Sequence, residues 1–479
     1  MEQVLAQRNQ CIQERLDAIA LLKRQRFGPS GERVSPDQLG LFNEAEFEAQ
    51  IGALEQQAAP QAEPVCLPLL EQLPRVDRVI DLAPEDKAAL GEDWVLISYD
   101  EAEQLAIIPR HPDAAGADQG VIIAPRAPQI LPKAIAHSSL LADIVVAKYA
   151  DALPLYRQER SFARDGLDIP RQSRAGWMVA LEEPLAPLMA AMKALLDAGP
   201  VLHIDETHLQ VFAEPGRAAT QQSLMWVYRG GPPGRAVILV DYSETRSGAA
   251  PRAFLRGLPL AGVSLLTDGY GVYSALALEV GLLGHAGCWP HARRKFVEAT
   301  AGRSHRAVAH QLVALIGKLY TQERRLKNAI PAERQQAPAV HSRPILDAIK
   351  TWLDEKAPTV LPKSLLGKAI AYALGLWPQR TTFLKDGHIP IDNNPAKNSI
   401  RPFVVGRKNW LFTASPHGAK ASAMLCSLIE STKANGLAPR AYLGFLLERL
   451  PTAKTPADIA ALLPQNLAAD DIWLPPVTL

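Results

Sequence analysis

VLHIDETHLQVF at residues 201–212, LMWVY at 224–228, AVILVDY at 236–242 and VSLLT at 263–267 are four β-branched or apolar runs within residues 200–285. Turn sequences such as Gly230-Gly231-Pro232-Pro233-Gly234 separate them, so each run is predicted to be a strand. Ala250–Arg256, ahead of the fourth run, and Val272–Val280, behind it, are predicted helices. Three successive strands, a helix and a further strand make an α/β core with a mixed sheet.

That order of elements is the order of an RNase H-like core, in which the first and fourth strands are neighbours. Asp205 lies inside the first strand, in His203-Ile204-Asp205-Glu206-Thr207. Asp268 closes the fourth, in Thr267-Asp268-Gly269-Tyr270-Gly271. An aspartate in an apolar strand is costly to bury unpaired, which favours a functional role for Asp205. Asp268 before glycine is equally consistent with turn chemistry. Two facing carboxylates are hard ligands suited to Mg²⁺ or Mn²⁺. A pair of such ions roughly 3.5–4 Å apart activates a water or a 3′-hydroxyl against a phosphodiester. Glu206 points to the opposite face of the strand and reads as a structural group.

Upstream the pattern is helical. Leu140–Ala152, Leu155–Asp165 (ended by Gly166) and Pro170–Leu181 are predicted helices, the last with proline at its start. Helix, glycine turn, helix fits a helix-turn-helix, with Arg171 and Arg174 at the head of the recognition helix as candidate DNA contacts. A helical connector that touches no DNA fits as well. Farther upstream, Leu5, Ile12 and Ile19 recur every seven residues, a short coiled-coil pattern or a helix packing on its own protein. Residues 29–75 read as a linker and 76–125 as a small β-rich module. Downstream, 288–385 is mainly helical, and Ala419–Ala434, Pro439–Leu450 and Thr455–Leu463 are further helices.

The chain has 479 residues, enough for several domains, and 48% hydrophobic with 21% charged residues excludes a disordered class. A net charge of +1 does not by itself argue for nucleic acid, so any DNA surface is local. Candidates are Arg293, Arg294 and Lys295, then Arg401, Arg407 and Lys408. A solvated helix face is the usual fate of such runs; their place beside the carboxylate strings favours phosphate contacts. The four cysteines form no CxxC pair, against a disulfide framework or a cysteine-rich zinc module. Cys288 and His291 are spaced like half a zinc site, but no second pair is visible. No run approaches the ~18 apolar residues of a membrane span, and the first residues lack a signal-peptide core, so a cytoplasmic location is expected.

RQRFG (24–28), KYADALPLYRQE (148–159), HIDET (203–207), TDGYGVY (267–273), CWPHARRKF (288–296), IDNNPAKNSIRPFVVGRKNWLF (391–412) and SLIESTKANGLAPRAYL (427–443), in this order, resemble the insertion-sequence-66 family of DDE transposases. The resemblance implies a leucine-zipper-like start (1–28), a linker (29–75), a zinc-module remnant (76–125) and a helical, helix-turn-helix-like region (138–198). It further implies an RNase H-like catalytic core in two parts, 200–298 and 389–435, around a helical insertion at 299–388, with a helical region at 436–479. The implied chemistry is Mg²⁺- or Mn²⁺-dependent cleavage at transposon ends and attack of the freed 3′-hydroxyl on target DNA. The implied partners are those two DNAs, a homodimer or higher synaptic complex, and small accessory proteins.

Asp205 and Asp268 match the family's first two catalytic and metal-binding aspartates. The third carboxylate, a glutamate three residues after Asp-Asn-Asn, is here Lys397. An ammonium cannot ligate a divalent cation, so an impaired or inactive copy is expected. Rescue by Asp392 or Glu430, or an altered residue, are the competing accounts. Residues 76–125 contain no cysteine, so zinc is not expected there. Two rival functions remain: a non-catalytic DNA-binding relic or domesticated transposase, and an RNase H-like nuclease specific for branched DNA.

Overall fold

The computed structural model describes residues 128–472 apart from 133, 301–305, 327, 328 and 330. The coiled-coil helix expected at 1–28, the linker at 29–75 and the β-rich module at 76–125 lie outside the described residues. In chain order the elements are α1 (Ser138–Tyr149), α2 (Leu155–Arg164), α3 (Arg171–Ala180), α4 (Glu182–Lys193), β1 (Val201–Gln210), β2 (Gln222–Gly230) and β3 (Val237–Ser243). There follow α5 (Ala249–Leu255), β4 (Ser264–Thr267), α6 (Val272–Glu279), β5 (Gly284–Gly287), α7 (Trp289–Thr300), α8 (Arg306–Arg325), α9 (Pro331–Ala337) and α10 (Arg343–Lys356). The last are α11 (Leu365–Gly375), α12 (Trp377–Arg380), α13 (Asn394–Trp410), α14 (Pro416–Ala434), α15 (Pro439–Arg449) and α16 (Pro456–Ala461). The chain divides into two units: one holds 192–209 and 222–402, the other the residues up to Ala191, 210–221 and those from Phe403 on. The segment expected to complete the catalytic core, 389–435, is thereby shared out, with 389–402 in the sheet-bearing unit.

In the sheet-bearing unit the five strands run in the order β3-β2-β1-β4-β5. β2 and β3 form an antiparallel hairpin, and the chain leaves β2 through Gly231 at φ 89°, a left-handed conformation that glycine adopts without strain. β1 pairs in parallel with β4, and β4 in parallel with β5. This is the mixed, RNase H-like order that the four apolar runs predict. The fifth strand is an addition. Its sequence, Gly-His-Ala-Gly, has no β-branched residue and no alternation. Pairing with β4 from Ser264↔Gly284 to Thr267↔Gly287 creates it, and the Thr382 hydroxyl donates to the His285 carbonyl.

One apolar core joins the sheet to the helices that follow it. Val201, Leu266 and Ala286 of three adjacent strands pack in the same cluster as Trp289, Phe296, Ile316, Ile349 and Ile370. In α7 the buried residues are Trp289, Ala292, Phe296 and Ala299, one face at helical spacing. Arg293 and Arg294 fall on the exposed face. Phe296 meets Trp352 edge-on at 6.2 Å and Trp289 meets Trp377 at 6.1 Å. The Trp289 indole N–H donates to the Arg380 carbonyl at 3.0 Å, so its polar atom is satisfied inside the core. The helical insertion is therefore continuous with the sheet's own core.

The described residues of the other unit are mainly helical. α14 is buried almost all round from Ala419 to Thr432, as befits a central helix. Its Ser415 cap accepts from the Gly418 N–H at 3.2 Å, and Pro416 opens it. Ser427 and Thr432 return their hydroxyls to carbonyls one turn back, at 2.7 and 2.6 Å, so their burial leaves no orphan donor. Glu430, one proposed rescue for the missing carboxylate, is held at 2.9 Å by Lys433 of its own helix.

The α2-turn-α3 pair forms as expected, with Gly166 at φ 81° in the turn. Arg174 is a correction. It was expected to face DNA from the head of α3, but its side chain is 0% exposed. Its Nη2 donates to the Ile169 carbonyl at 2.7 Å, Glu159 lies 3.9 Å away, and the guanidinium sits 5.3 Å over the Phe162 ring. Burial pushes its pKa down to about 10. A cation with no exposed surface is not placed to meet a phosphate, and α3's geometry turns it inward while Arg171 stays half-buried. Arg174→Ala is therefore expected to cost about 2 kcal/mol of stability in urea unfolding. Its effect on duplex affinity per folded molecule should be small.

Candidate active site

The site is built beside the middle of β1, where β4 ends. Their register runs Val201↔Ser264, Leu202↔Leu265, His203↔Leu266. Carried two residues on, it sets Asp205 beside Asp268, about one strand spacing (~4.8 Å) apart. Strand alternation puts both on the face of Val201 and Leu266, the face covered by the insertion helices. Asp205 Oδ1 accepts from the Glu206 N–H at 3.0 Å. Asp268 Oδ1 accepts from the Tyr270 N–H at 2.9 Å, closing a tight turn. Within that turn Gly269 leaves no room for a Cβ against Tyr372 and Leu376 of the insertion. The turn that presents Asp268 is thus fixed from the insertion side.

The Asp-Asn-Asn segment is anchored by its middle residue. Asn393 is wholly buried; its Nδ2 donates to the Ile204 carbonyl at 2.8 Å, and its Oδ1 lies 2.9 Å from His203 Nδ1. Because that oxygen only accepts, His203 carries its proton on Nδ1. The Asn393 N–H donates to Cys288 Sγ at 3.2 Å. Burial pushes the Cys288 thiol up to about 11, so it stays protonated and serves as an acceptor in the core. Asp392 precedes α13 and caps it, accepting the Asn394 N–H at 3.0 Å and the Asn394 side-chain amide at 2.8 Å. No sequence signal singled out Asn393; its role follows from packing between β1 and the end of β5.

Lys397 lies in the first turn of α13, and its Nζ is 2.7 Å from His291 Nε2. Burial, aided by the Lys397 charge, lowers the His291 pKa to about 4. The imidazole is neutral near pH 7, so its Nε2 accepts and the ammonium donates. Asp205 feels the same cation. Burial pushes its carboxyl up to about 7, Lys397 is the strongest opposing influence, and Glu206 and Asp268 add to the rise. The ammonium therefore stands within the field of Asp205, at the position where the family resemblance implies a third carboxylate.

Does this donor set fit a pair of divalent cations? Two carboxylates fit a hard ion, but the third position brings a positive charge, which repels one. Asp392 spends both oxygens on Asn394 and Glu430 is paired with Lys433. Among the described residues no group of three His, Cys, Asp or Glu side chains has metal-holding geometry. The residues present do not fit such a pair.

The basic candidates fall in different places. Arg293 and Arg294 are exposed on α7, and Lys295 lies 4.8 Å over the Tyr372 ring. Arg401 is exposed on α13 in the same unit. Arg407 and Lys408, in the last turn of α13, belong to the helical unit, with Arg407 half-buried and Lys408 exposed. Glu206 faces away from Asp205 as its place in the strand predicts, and accepts from Tyr273 and Arg246.

A pH test of Asp205 follows. Its folded-state pKa lies above the ordinary value of 3.8, so folding favours the protonated form. That contribution is fully present below the unfolded pKa and is lost as pH rises through about 7. In EDTA, Asp205→Asn is expected to raise the unfolding free energy by about 2 kcal/mol near pH 8, with little gain near pH 4. Solvent at the half-buried carboxylate screens the rest. An equal effect at both pH values in urea titrations would count against a charged, desolvated Asp205.

Comparison with known proteins places these features. Residues 133–421 match the profile described as Transposase IS66 family, residues 427–465 the IS66 C-terminal element, and residues 16–78 Transposase C of IS166 homeodomain. The chain is similar to the uncharacterized protein y4jD of Sinorhizobium fredii, 32% identical over 84% of this chain and 82% of that protein. It is likewise similar to y4qI of the same organism, 32% identical over 84% of this chain and 77% of that protein. A third, y4hP, is 27% identical over 67% and 60% respectively.

Proposed function

The chain belongs to the IS66 family of transposases, and from that premise we propose that it binds the ends of its own element while its strand chemistry is impaired. The observation that carries the second half is the Lys397 ammonium, bonded to His291 and inside the field of Asp205. In this reading Asp205 and Asp268 are the two surviving members of a carboxylate triad for Mg²⁺ or Mn²⁺. Arg293, Arg294, Lys295 and Arg401 on the one unit, and Arg171, Arg407 and Lys408 on the other, supply phosphate contacts. The partners are transposon-end and target DNA, a second copy of the chain in a synaptic complex, and small accessory proteins. The setting is the cytoplasm; among the described residues no helix is long and apolar enough to cross a membrane.

Lys397 also favours a second reading, that of an end-binding relic or domesticated transposase with no chemistry left. Both readings are tested by incubating the purified chain with duplexes carrying the terminal repeats of its element, with and without Mn²⁺. A gel shift specific for those ends, with no cleavage beyond background, is the expected result. Robust Mn²⁺-dependent cleavage by the unmodified chain would remove the impairment. A preference for branched over linear duplexes would instead support a structure-specific nuclease.

A further inference from the structure

Near the carboxylates, Arg246, which lies outside the family motifs, is gathered with Glu206, Tyr270 and Tyr273, which lie within them. Glu206 is 5% exposed, and its carboxylate accepts from the Tyr273 hydroxyl and from Arg246. Arg246 uses two nitrogens there: Nε donates at 3.0 Å and Nη2 also bonds the same oxygen. Its guanidinium sits 4.2 Å from the centroid of the Tyr270 ring, and the Tyr270 hydroxyl donates back to the Arg246 carbonyl at 2.9 Å. Tyr270 itself is held by Asp268. The arginine side chain is nonetheless 45% exposed, and Nη1 has no partner among the described residues.

We propose that Arg246 anchors a DNA backbone phosphate beside the carboxylate site, with Glu206 and Tyr270 holding its guanidinium in position. The proposal rests on the reading that the chain binds DNA. Glu206 holds Arg246 on the other face of β1 from Asp205, but Arg246 lies within the field of Asp268, so a phosphodiester reaching Asp268 past the end of β4 meets a fixed cation that offsets the carboxylate repulsion. An ion pair with Glu206 alone needs only a charge. A planar fork stacked on an aromatic ring, with one edge committed and the other open, suits the tetrahedral oxygens of a phosphate. Burial opposes the Arg246 charge, but the Glu206 hydrogen bond and charge, and then Asp268, together raise its pKa, so the cation is kept charged.

The test is fluorescence anisotropy of the full chain on a duplex carrying the terminal repeat of its element and on a scrambled duplex, over a salt series. Arg246→Ala is expected to weaken both duplexes roughly tenfold and to lower the slope of log K against log salt by about 0.9. Arg246→Lys should keep most of the slope and lose part of the affinity. Arg252→Ala, on α5, which breaks an exposed pair with Glu279 of α6, serves as the control and should match wild type. Wild-type affinity and slope in Arg246→Ala, with or without a lower unfolding midpoint, would reduce Arg246 to a structural ion pair. If that variant does not fold, Arg246→Lys decides, and binding equal to wild type overturns the proposal. Failure of the wild-type chain to bind either duplex would sink the DNA reading itself, a result distinct from a silent Arg246 variant.

Discussion

Lys397→Glu is expected to gain Mn²⁺-dependent cleavage of the element's ends, on the order of a hundredfold over the unmodified chain, the scale on which one preorganised charged group acts in an active site. The argument is electrostatic. Asp205, within β1, and Asp268, just past the end of β4, stand on neighbouring parallel strands in the same register, and the first turn of α13 delivers residue 397 into the field of Asp205. With lysine there, a divalent cation meets two carboxylates and an ammonium. With glutamate it meets three carboxylates, and the cation bonded to His291 is gone. A second measurement separates binding from chemistry. A ligand that binds the folded chain raises its unfolding midpoint by mass action, so Mn²⁺ should stabilise the variant and leave the unmodified chain nearly unchanged. Adding Asp205→Asn to the variant should abolish both gains. A variant with neither gain would mean that another defect, outside this triad, silences the site.

Asn393→Ala is expected to destabilise the sheet-bearing unit by about 3 kcal/mol, read as a lower urea midpoint at unchanged slope. The alanine deprives two buried groups of their partner, the Nδ1–H of His203 and the carbonyl of Ile204. Each such loss costs about 1–3 kcal/mol, and the removed amide leaves a small void. His203 cannot escape by charging, because burial lowers its pKa to about 4. The same substitution frees the segment that aims Lys397, so it should also loosen the contact with His291. A loss below about 1 kcal/mol would show that the Asn393 N–H on Cys288 and the surrounding packing suffice.

Much of this was readable in the chain itself. The period-two runs fixed β1 to β4, and their order predicted that β1 and β4 are neighbours, which brings Asp205 and Asp268 together. The departure at Lys397 was visible as a letter. Other features were not. β5 carries no strand signal, because a parallel ladder with β4 rather than side-chain preference makes Gly284–Gly287 a strand. Arg174 looked like a surface cation, since charge in sequence says nothing about which way a helix face turns. Asn393 and Arg246 sit 190 and 40 residues from the strand residues they bond.

Four of the five strands, the two aspartates and the foreign lysine were legible in the chain, because alternation and residue chemistry are local properties. Tertiary structure alone decided what Lys397 does. Its ammonium is bonded to a neutral His291 and opposes the buried charge of Asp205. Desolvation and distance between residues far apart in the chain set that balance, and neither is written in any single segment.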